Sequence, residues 1–571
     1  MFADETPRIL SINTESFLTD QSVDFFEARR RVWPSLWLRR FSGKVSAMEL
    51  PLTPLEFARR TRKLYPEREA VVDGDVRLRY AEFFERCDRW SLALRSLGVK
   101  QGDRVAYIAP NTHAMLESFY AVPQIGAVLV PLNYRLIADD FAYLINHSGA
   151  RVVCAHSDYL AAVDSIRSQL PNVTSFVALD GGKPGWLDYE TLLRDVPPDS
   201  AFEPAAIEET DLLTINYTSG TTSRPKGVMI THRNAYINVV GTLIHHPMTI
   251  ADRYLWTLPM FHANGWTFIW TVTAVGAKHI CLRKVEPVAV FEKIKQESVT
   301  MLCAAPTVLI SIANGPEELR REVRRGLRIV TAGAPPAAAT IERIEGELGW
   351  DITHAYGLTE TSPFITICET RPEYGSLSCA ERSVIKACQG VELLTSGELR
   401  VVDEEGREVP HDGCSMGEIV VRGNAVMKGY YNDDEATARV IRDGWFHTGD
   451  AAVIHPSGYV EIRDRLKDVI ISGGENISSV EVEGVLLRHP AVQEVAIVGL
   501  ANERWGEAPH AFVVLRSGAQ ATEEELREFA RNNLAHFKAP HGVTFLPELP
   551  KTATGKVQKY VLRGGVAIGK Q

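Results

Sequence analysis

The sequence contains no apolar run long enough to cross a bilayer, and residues 1–5 are acidic rather than basic and apolar like a leader peptide. An excess of positive charge is also missing, because 62 basic and 72 acidic side chains give a formal charge of -10. Such a field repels polynucleotides, so we predict no nucleic-acid partner. Residues 568–571 do not form a peroxisomal address. These absences predict a cytoplasmic protein without a transmembrane segment.

Cysteine is scarce, with eight residues in 571, and Cys368, Cys379 and Cys388 lack the short paired spacing of a zinc site. We therefore expect reduced, free thiols. The sequence also lacks a fixed-period repeat and a heptad pattern. Nothing in it specifies a large assembly, and we expect a monomer or a homodimer.

What the chain does have is length and a regular alternation of elements. At 571 residues it is too long for one core, and 45% hydrophobic content is typical of folded proteins. A helical stretch begins at Tyr80 and ends before Gly98, and apolar runs at Arg104–Ile108 and Val128–Pro131 predict buried strands. Alternating strands and helices predict an α/β fold of layered subdomains with mainly parallel sheets.

Three regions follow from the change of pattern along the chain. Residues 1–48 form an N-terminal extension in which Trp33 and Trp37 alternate with arginines. A short helix packed on the protein surface is favoured there over membrane contact, and Met48 is an alternative start. Residues 49–463 form a large N-terminal domain. From Asp464 a polar segment opens a new α/β pattern, which predicts a small, mobile C-terminal lid over residues 464–571.

A hydroxyl- and glycine-rich loop gives the strongest chemical signal. It follows an apolar strand and contains Thr218, Ser219, Gly220, Thr221, Thr222 and Lys226. Backbone N–H groups freed by glycine, hydroxyl donors and an ammonium can together surround phosphate oxygens. The loop is not a Walker A motif, because Pro225 and Gly227 stand where that motif requires glycine and Ser or Thr. The alternative is a solvated Ser/Thr linker.

The loop resembles the signature of the adenylate-forming enzyme superfamily, which includes acyl-CoA synthetases. Further segments match the pattern of that family in the same order, at residues 356–360, 444–450, 464–468 and 551–556. The resemblance covers the chain from about residue 49 to its end. It implies a large domain with a mobile lid, and an enzyme that uses ATP, Mg²⁺ and coenzyme A to activate a small carboxylic acid.

The resemblance also implies roles for single residues. The nucleotide site contains the phosphate loop, Gly333, Ala334, Pro335, Tyr356, Gly357, Thr359, Asp450 and Arg465. Tyr356 is expected to stack on adenine and Asp450 to accept both ribose hydroxyls. Glu360 is suited to Mg²⁺, with Thr221 as a second ligand, because this hard cation prefers oxygen. The expected catalytic residues are Lys556, Glu360 and His262.

The remaining predicted roles concern the acid and the thiol. The acid pocket is assigned to His262, Trp266, Ala332 and Gly333, the hinge to Lys467, and the coenzyme A side to Ser472, Gly473 and Gly474. His262 is expected to donate a hydrogen bond to the carboxylate, and Trp266 to form a wall. Each could instead be an ordinary core residue. Two departures from the family are Ser223 and Ala332, which stand where glycine is frequent.

Apolar lining without an evident charged partner favours a fatty acid, medium-chain in preference, or an aryl acid over an amino acid. The predicted function is therefore that of an acyl-CoA synthetase acting through an acyl-AMP intermediate. The alternatives are a stand-alone adenylating enzyme that loads a carrier protein, and an oxidative luciferase-like enzyme. A non-enzymatic regulator is disfavoured because Glu360, Asp450 and Lys556 are all present.

Overall fold

The computed structural model of the protein describes residues 49–218, 225–472, 475–502, 504–552 and 556–564. The chain divides into two compact units, Met1–Leu50 and Pro51–Gln571. The predicted extension over residues 1–48 lies outside the described residues. All elements named below belong to the second unit.

The helices and strands alternate along most of the chain. In order, the helices are α1 Pro54–Leu64, α2 Tyr80–Ser96, α3 His113–Ala121, α4 Ala138–Ser148, α5 Leu160–Ile166, α6 Tyr189–Asp195, α7 His232–His245, α8 Phe268–Ala274, α9 Pro287–Glu297, α10 Pro306–Ala313, α11 Glu317–Glu322, α12 Ala338–Arg343, α13 Cys379–Ala387, α14 Asp434–Val440, α15 Ser479–Leu486, α16 Glu523–Asn533 and α17 Lys559–Leu562. The strands are β1 Glu69–Asp73, β2 Val76–Arg79, β3 Arg104–Ile108, β4 Val128–Pro131, β5 Ala150–Ala155, β6 Ser175–Ala178, β7 Leu187–Asp188, β8 Leu212–Thr218, β9 Lys226–Thr231, β10 Arg253–Leu255, β11 Lys278–Ile280, β12 Met301–Ala304, β13 Arg328–Thr331, β14 Asp351–Gly357, β15 Phe364–Ile367, β16 Val391–Glu392, β17 Glu398–Val402, β18 Gly417–Arg422, β19 Gly429–Tyr430, β20 Ile441–Arg442, β21 Trp445–Ile454, β22 Val460–Arg465, β23 Ile470–Ser472, β24 Glu475–Ile477, β25 Val492–Asn502, β26 Gly506–Leu515 and β27 Gly542–Phe545.

Local sequence explains where several of these elements begin and end. The hydroxyl of Thr53 accepts the backbone N–H of Leu55, and Pro54 occupies the first position, so α1 begins there. The predicted helix before Gly98 is α2, and Gly98 has a φ of +85°, a conformation that follows many helix ends. The strands predicted at Arg104–Ile108 and Val128–Pro131 are β3 and β4, and both are buried. These three predictions are confirmed.

Two large sheets dominate the fold. One has nine strands in the order β16-β15-β14-β13-β12-β10-β11-β1-β2, and the other has eight in the order β19-β9-β8-β4-β3-β5-β6-β7. Their interior pairs are parallel, as in β12–β13–β14 and β4–β3–β5, and antiparallel pairs lie toward the edges. The predicted α/β class with mainly parallel sheets is confirmed for both.

Two smaller sheets have a different character. One has the order β17-β18-β21-β20 with β22 beside β21, and the other β24-β23-β26-β25 with β27 beside β26. Every pair in them is antiparallel except β26–β27. The sheet of residues 398–465 therefore departs from the mainly parallel pattern expected for the large domain, because its strands pair only antiparallel.

A single apolar core joins the two large sheets. Val71 of β1 and Val105 of β3 belong to it, together with Phe83, Leu116 and Ile269 from α2, α3 and α8. The helices thus form a layer packed between the sheets and fix the strand ends that carry the motifs. In the described part of the chain, no helix has the length and apolar character that a membrane span needs.

Candidate active site

Two neighbouring parallel strands bring predicted nucleotide-site segments to one edge of the nine-stranded sheet. Thr331 at the end of β13 pairs with His354 of β14, so the residues that follow each strand lie at the same edge. Ala332, Gly333, Ala334 and Pro335 follow β13, whereas Gly357 ends β14 and a short 3-10 turn, Thr359–Thr361, follows it. A side chain at Gly357 would place its Cβ only 1.8 Å from the carbonyl oxygen of Pro363. Only glycine fits this position.

Tyr356, Asp450 and Arg465 form a buried polar group beside that edge. The hydroxyl of Tyr356 donates a hydrogen bond to Oδ2 of Asp450 at 2.6 Å. Asp450 and Arg465 are paired residues of the neighbouring strands β21 and β22, and Nε of Arg465 lies 2.8 Å from the other carboxylate oxygen. Each oxygen of Asp450 is thereby held by one donor, which fixes the orientation of the carboxylate.

The group also changes the titration of its members. Burial, and next the charge of Asp450, raises the pKa of Tyr356 well above its usual range, so the hydroxyl remains a donor. Burial opposes the charge of Arg465, but the acidic groups around it, of which Asp450 has the largest effect, together outweigh burial and raise the pKa of Arg465. The site therefore holds a neutral phenol and a permanent guanidinium on the same carboxylate.

Glu360 and Lys226 meet at a tyrosine that the sequence interpretation did not single out. The hydroxyl of Tyr430 donates to Oε1 of Glu360 at 2.9 Å, and Nζ of Lys226 lies 4.6 Å from the centre of the Tyr430 ring. The hydroxyl of Tyr430 thus contacts the carboxylate of Glu360, and the face of its ring attracts the ammonium of Lys226. Burial, followed by Glu360, raises the pKa of Tyr430. Strand β19, which carries Tyr430, pairs with β9, which begins at Lys226.

The two strands β8 and β9 position the phosphate loop. Thr218, the last residue of β8, is paired with Lys226, the first residue of β9. The loop between them is therefore the connection of an antiparallel pair. Ser219, Gly220, Thr221 and Thr222 lie outside the described residues, so their predicted roles are untested.

Lys556 is hydrogen-bonded to Thr552, and the charges of the polar group influence its pKa. Its backbone carbonyl accepts the N–H of Thr552 at 2.7 Å, and its own N–H donates to the Thr552 hydroxyl at 3.1 Å. Lys556 is exposed at the surface, and the positive charge of Arg465 is the largest cause that lowers the pKa of Lys556 to about 8. The carboxylates of Asp450 and Asp468 act in the opposite direction.

His262 is connected to the same electrostatic group. Burial lowers the pKa of His262 to about 4, and the charge of Lys556 adds to the effect. The imidazole is therefore neutral at physiological pH and can donate one hydrogen bond. The charge of Arg465 therefore affects Lys556, and the charge of Lys556 in turn affects His262.

Trp266 and Gly333 border each other at the predicted acid pocket. A Cβ placed on Gly333, whose φ is +88°, would lie 3.6 Å from Cζ2 of Trp266. The Trp266 ring also meets Phe364 edge-on, with ring centres 5.9 Å apart. Trp266 and Ala332 are both 3% exposed. The indole of Trp266, which the sequence predicts to form the wall, thus lies close to Gly333 and to the ring of Phe364.

The predicted hinge and coenzyme A residues follow next along the chain. Lys467 is exposed in the connection between β22 and β23. This connection joins the two antiparallel sheets. The side chain of Arg563 donates to Oδ1 of the adjacent Asp468 at 2.6 Å. Ser472 ends β23 and pairs with Glu475. Gly473 and Gly474 lie outside the described residues.

Sequence reasoning missed Tyr430 and two buried asparagines, Asn216 and Asn264. Asn216 is 2% exposed and follows Leu212, Leu213 and Ile215 in β8, and an asparagine beside such apolar residues is a signal that could have identified it. Tyr430 follows a glycine on a two-residue strand, and no local pattern marks it.

Comparison with known proteins places these features in a family. A profile of the AMP-binding enzyme family matches residues 58–431, and one of the AMP-binding enzyme C-terminal domain matches residues 481–556. The chain therefore belongs to the AMP-binding enzyme family. Its relatives narrow this to the branch of acyl- and aryl-CoA ligases.

Among these relatives, 4-hydroxybutyrate–CoA ligase 2 of Metallosphaera sedula is 42% identical over 521 residues, which cover 90% of this chain and 94% of that protein. The peroxisomal trans-cinnamate:CoA ligase of Petunia hybrida is 38% identical, with coverage of 91% and 95%. The peroxisomal benzoate–CoA ligase of Arabidopsis thaliana is 39% identical, with coverage of 90% and 93%.

Solved structures agree with this placement. An anthranilate CoA ligase in complex with anthranoyl-AMP superimposes with a TM-score of 0.82 at 26% identity, covering 91% of this chain and 98% of that one. A benzoate CoA ligase from Burkholderia xenovorans gives a TM-score of 0.79 at 26% identity, covering 90% and 99%. Both structures share the large N-terminal and small C-terminal arrangement of an α/β fold.

Proposed function

We propose that this protein activates a fatty or aryl monocarboxylic acid with ATP and transfers the acyl group to coenzyme A. In the first step a carboxylate oxygen attacks the α-phosphorus of ATP, which forms an acyl-AMP and releases pyrophosphate. In the second step the sulfur of coenzyme A attacks the acyl carbon, which forms the thioester and releases AMP. The observation that carries the proposal is the buried polar group in which Tyr356 and Arg465 each hold one carboxylate oxygen of Asp450.

The proposed residue roles follow from charge and reach. Asp450 accepts hydrogen bonds from the ribose hydroxyls, and Tyr356 stacks on adenine. Arg465 neutralises the charge of the Asp450 carboxylate and of nearby phosphate. Lys556 stabilises the charge that develops at the α-phosphate as pyrophosphate leaves. Because His262 is neutral, it donates a hydrogen bond to the carboxylate of the acid without neutralising the negative charge of that carboxylate.

Mg²⁺ fits the residues present and is part of the proposal. Glu360 supplies a carboxylate beside the phosphate-loop strand, and a hard cation prefers such oxygen ligands. Thr221, the second proposed ligand, lies outside the described residues. When bound, the ion would neutralise phosphate charge.

The acid is proposed to be apolar, because Trp266 and Phe364 form the described wall of its pocket. The sequence favours medium-chain fatty acids among the aliphatic candidates. The names of the three relatives add a short hydroxylated acid and two aryl acids to the candidates. An amino-acid substrate is disfavoured, since no carboxylate of the protein is assigned to bind the ammonium group of such a substrate.

The lid and its rotation belong to the proposal as well. We place the boundary near Asp464 and the hinge at Lys467, in the connection between the antiparallel sheets. Rotation about Lys467 would remove Lys556 after adenylation and bring Ser472, Gly473 and Gly474 to the thiol. A cytoplasmic location and a monomeric or dimeric state stay predictions. A carrier-protein thiol is the alternative acceptor.

The first test is a pyrophosphate-release assay with ATP and Mg²⁺. The panel contains acids from acetate to decanoate, 4-hydroxybutyrate, benzoate, cinnamate and several amino acids, each with and without coenzyme A. We expect steady turnover with one acid class only when coenzyme A is present, and an acyl-CoA product identified by mass spectrometry. A single turnover without thioester would favour a carrier protein. Absence of pyrophosphate with every acid would refute the proposal.

A matched pair of lysine variants tests the role of Lys556. We expect Lys556→Ala to lose adenylation by about 100-fold or more, the usual scale for a missing oxyanion donor. Thioester formation from synthetic acyl-AMP should be nearly unchanged. Lys551→Ala is the control, because the ammonium of Lys551 forms an ion pair with Glu494 of β25. Equal loss in both half-reactions would refute the assignment.

A further inference from the structure

The segment between His262 and α8 has an unusual backbone. Five consecutive residues have positive φ angles: Ala263 36°, Asn264 48°, Gly265 55°, Trp266 50° and Thr267 69°. Four of the five carry a side chain, and each such residue in the left-handed region costs free energy. A run of this kind persists only where the surroundings determine it strongly. We call residues 263–267 the left-handed turn.

A closed ring of three hydrogen bonds holds the left-handed turn. The side-chain amide of Asn264 donates to the hydroxyl of Thr214 at 2.9 Å, and that hydroxyl donates to Oδ1 of Asn216 at 2.7 Å. The amide of Asn216 returns a bond to Oδ1 of Asn264 at 3.1 Å. All three side chains are at most 2% exposed. Hydrogen bonds that run head to tail in a dry interior strengthen one another.

The same ring reaches the segment in front of the turn. The amide of Asn216 also donates to the backbone carbonyl of Phe261 at 3.1 Å. Further back, the side chain of Asn111 donates to the carbonyls of Trp256 and Leu258 and accepts the N–H of Met260 at 2.9 Å. Backbone groups of the segment that leads to His262 are therefore held by the buried side chains of Asn111 and Asn216.

The ring links two parts of the site. Thr214 and Asn216 belong to β8, whose last residue, Thr218, begins the phosphate loop. Asn264 lies between His262 and Trp266 in the chain, so its position determines where both side chains point. Trp266 in turn packs against Gly333 and Phe364. The strand that leads to the phosphate loop thereby fixes the wall of the acid pocket.

We propose that Thr214, Asn216 and Asn264 are positioning residues for the acid: their hydrogen-bond ring maintains the left-handed turn and so sets the placement of His262 and Trp266. The expected change in KM for the acid rests on the proposed function, whereas the expected change in the backbone of the left-handed turn does not. The three residues need not contact the acid, because they act through the backbone of the turn.

Thr214 offers the sharpest test, because two conservative variants distinguish the effect of its hydroxyl group from the effect of its side-chain volume. Thr214→Val removes both hydrogen bonds of the hydroxyl and keeps the volume, whereas Thr214→Ser keeps the hydroxyl. We expect Thr214→Val to raise KM for the acid at least tenfold while KM for ATP changes less than threefold. Thr214→Ser should stay within twofold of the wild type for both. Asn264→Leu should reproduce the effect of Thr214→Val.

The control is Thr242→Val, which removes a buried hydroxyl that has no hydrogen-bond partner among the described residues. It should leave both KM values within twofold of the wild type. Equal rises of KM for acid and ATP in Thr214→Val, or no rise in either, would overturn the proposal. If the wild type forms no thioester, the proposed function fails, but crystal structures of Thr214→Val and Asn264→Leu still decide the positioning claim. Loss of the positive φ angles at residues 263–267 supports it, and an unchanged turn overturns it.

Discussion

The hydroxyl of Tyr356, at the end of β14, donates to the carboxylate of Asp450 in β21 at 2.6 Å. Arg465 occupies the other oxygen of this carboxylate from the neighbouring strand. The two contacts come from different sheets, so the orientation of Asp450 depends on how those sheets are packed. In the proposed function, a carboxylate held in this way would be oriented for the ribose diol before the nucleotide binds.

Asp450→Asn should therefore weaken AMP binding by about 2 kcal/mol or more, because it removes one member of a buried charge pair and strands Arg465. Tyr356→Phe should cost less, about 1 kcal/mol, since one hydrogen bond is lost and the ring is kept. Isothermal titration calorimetry with AMP measures both. An Asp450→Asn protein that binds AMP as tightly as the wild type would show that the carboxylate is not the ribose ligand.

Adenylation should depend on pH through Lys556. The ammonium is the form that stabilises phosphate charge, and its pKa is lowered to about 8, so kcat/KM for ATP should fall as pH rises through 8. ATP–pyrophosphate exchange without coenzyme A is the measurement, because the thiol of coenzyme A titrates in the same range.

Two variants identify the group responsible for this pH dependence. Arg465→Gln removes the largest cause of the lowered pKa, so the fall should move to higher pH even though the rate is lower. Lys556→Arg keeps a positive charge at high pH and should abolish the fall. An unchanged inflection in both variants would assign the titration to another group.

Lys467→Pro should slow thioester formation and leave adenylation within a few-fold of the wild type. Proline fixes φ near -65° and removes the rotation that a hinge needs. Single-turnover measurements of acyl-AMP formation and of acyl transfer to coenzyme A separate the two steps. Lys467→Ala is the matched control, because it removes the same side chain and keeps the backbone free. Equal behaviour of both variants would argue against a hinge at this residue.

Gly357→Ala should destabilise the protein by about 1–3 kcal/mol, the usual cost of overpacking. The added Cβ would lie 1.8 Å from the Pro363 carbonyl oxygen, so the backbone beside Tyr356 and Glu360 must move. Gly375→Ala is the control, since no heavy atom lies within 4 Å of its added Cβ. Urea denaturation of both variants gives the comparison. Equal midpoints would show that the strand end yields without cost.

The sequence predicted much of the frame and the order of the motifs. Arg104–Ile108 was predictable because a buried parallel strand is continuously apolar, and this pattern is local. The contact between Tyr430 and Glu360 was not, because it joins residues 70 positions apart through the pairing of β19 with β9. The left-handed turn was hidden for a similar reason, since the partners that stabilise it lie in β8, about 50 residues earlier.

The closeness of Arg465 to Lys556 has one more consequence. Arg465 lowers the pKa of Lys556 because the two cations repel, and a polyanion placed between them would convert this repulsion into attraction on both sides. In the proposed reaction, pyrophosphate satisfies this condition as well as ATP does, so the two side chains that accept the substrate would also retain the product. The departure of pyrophosphate would restore the repulsion and would thereby link product release to the separation of the C-terminal lysine from β22.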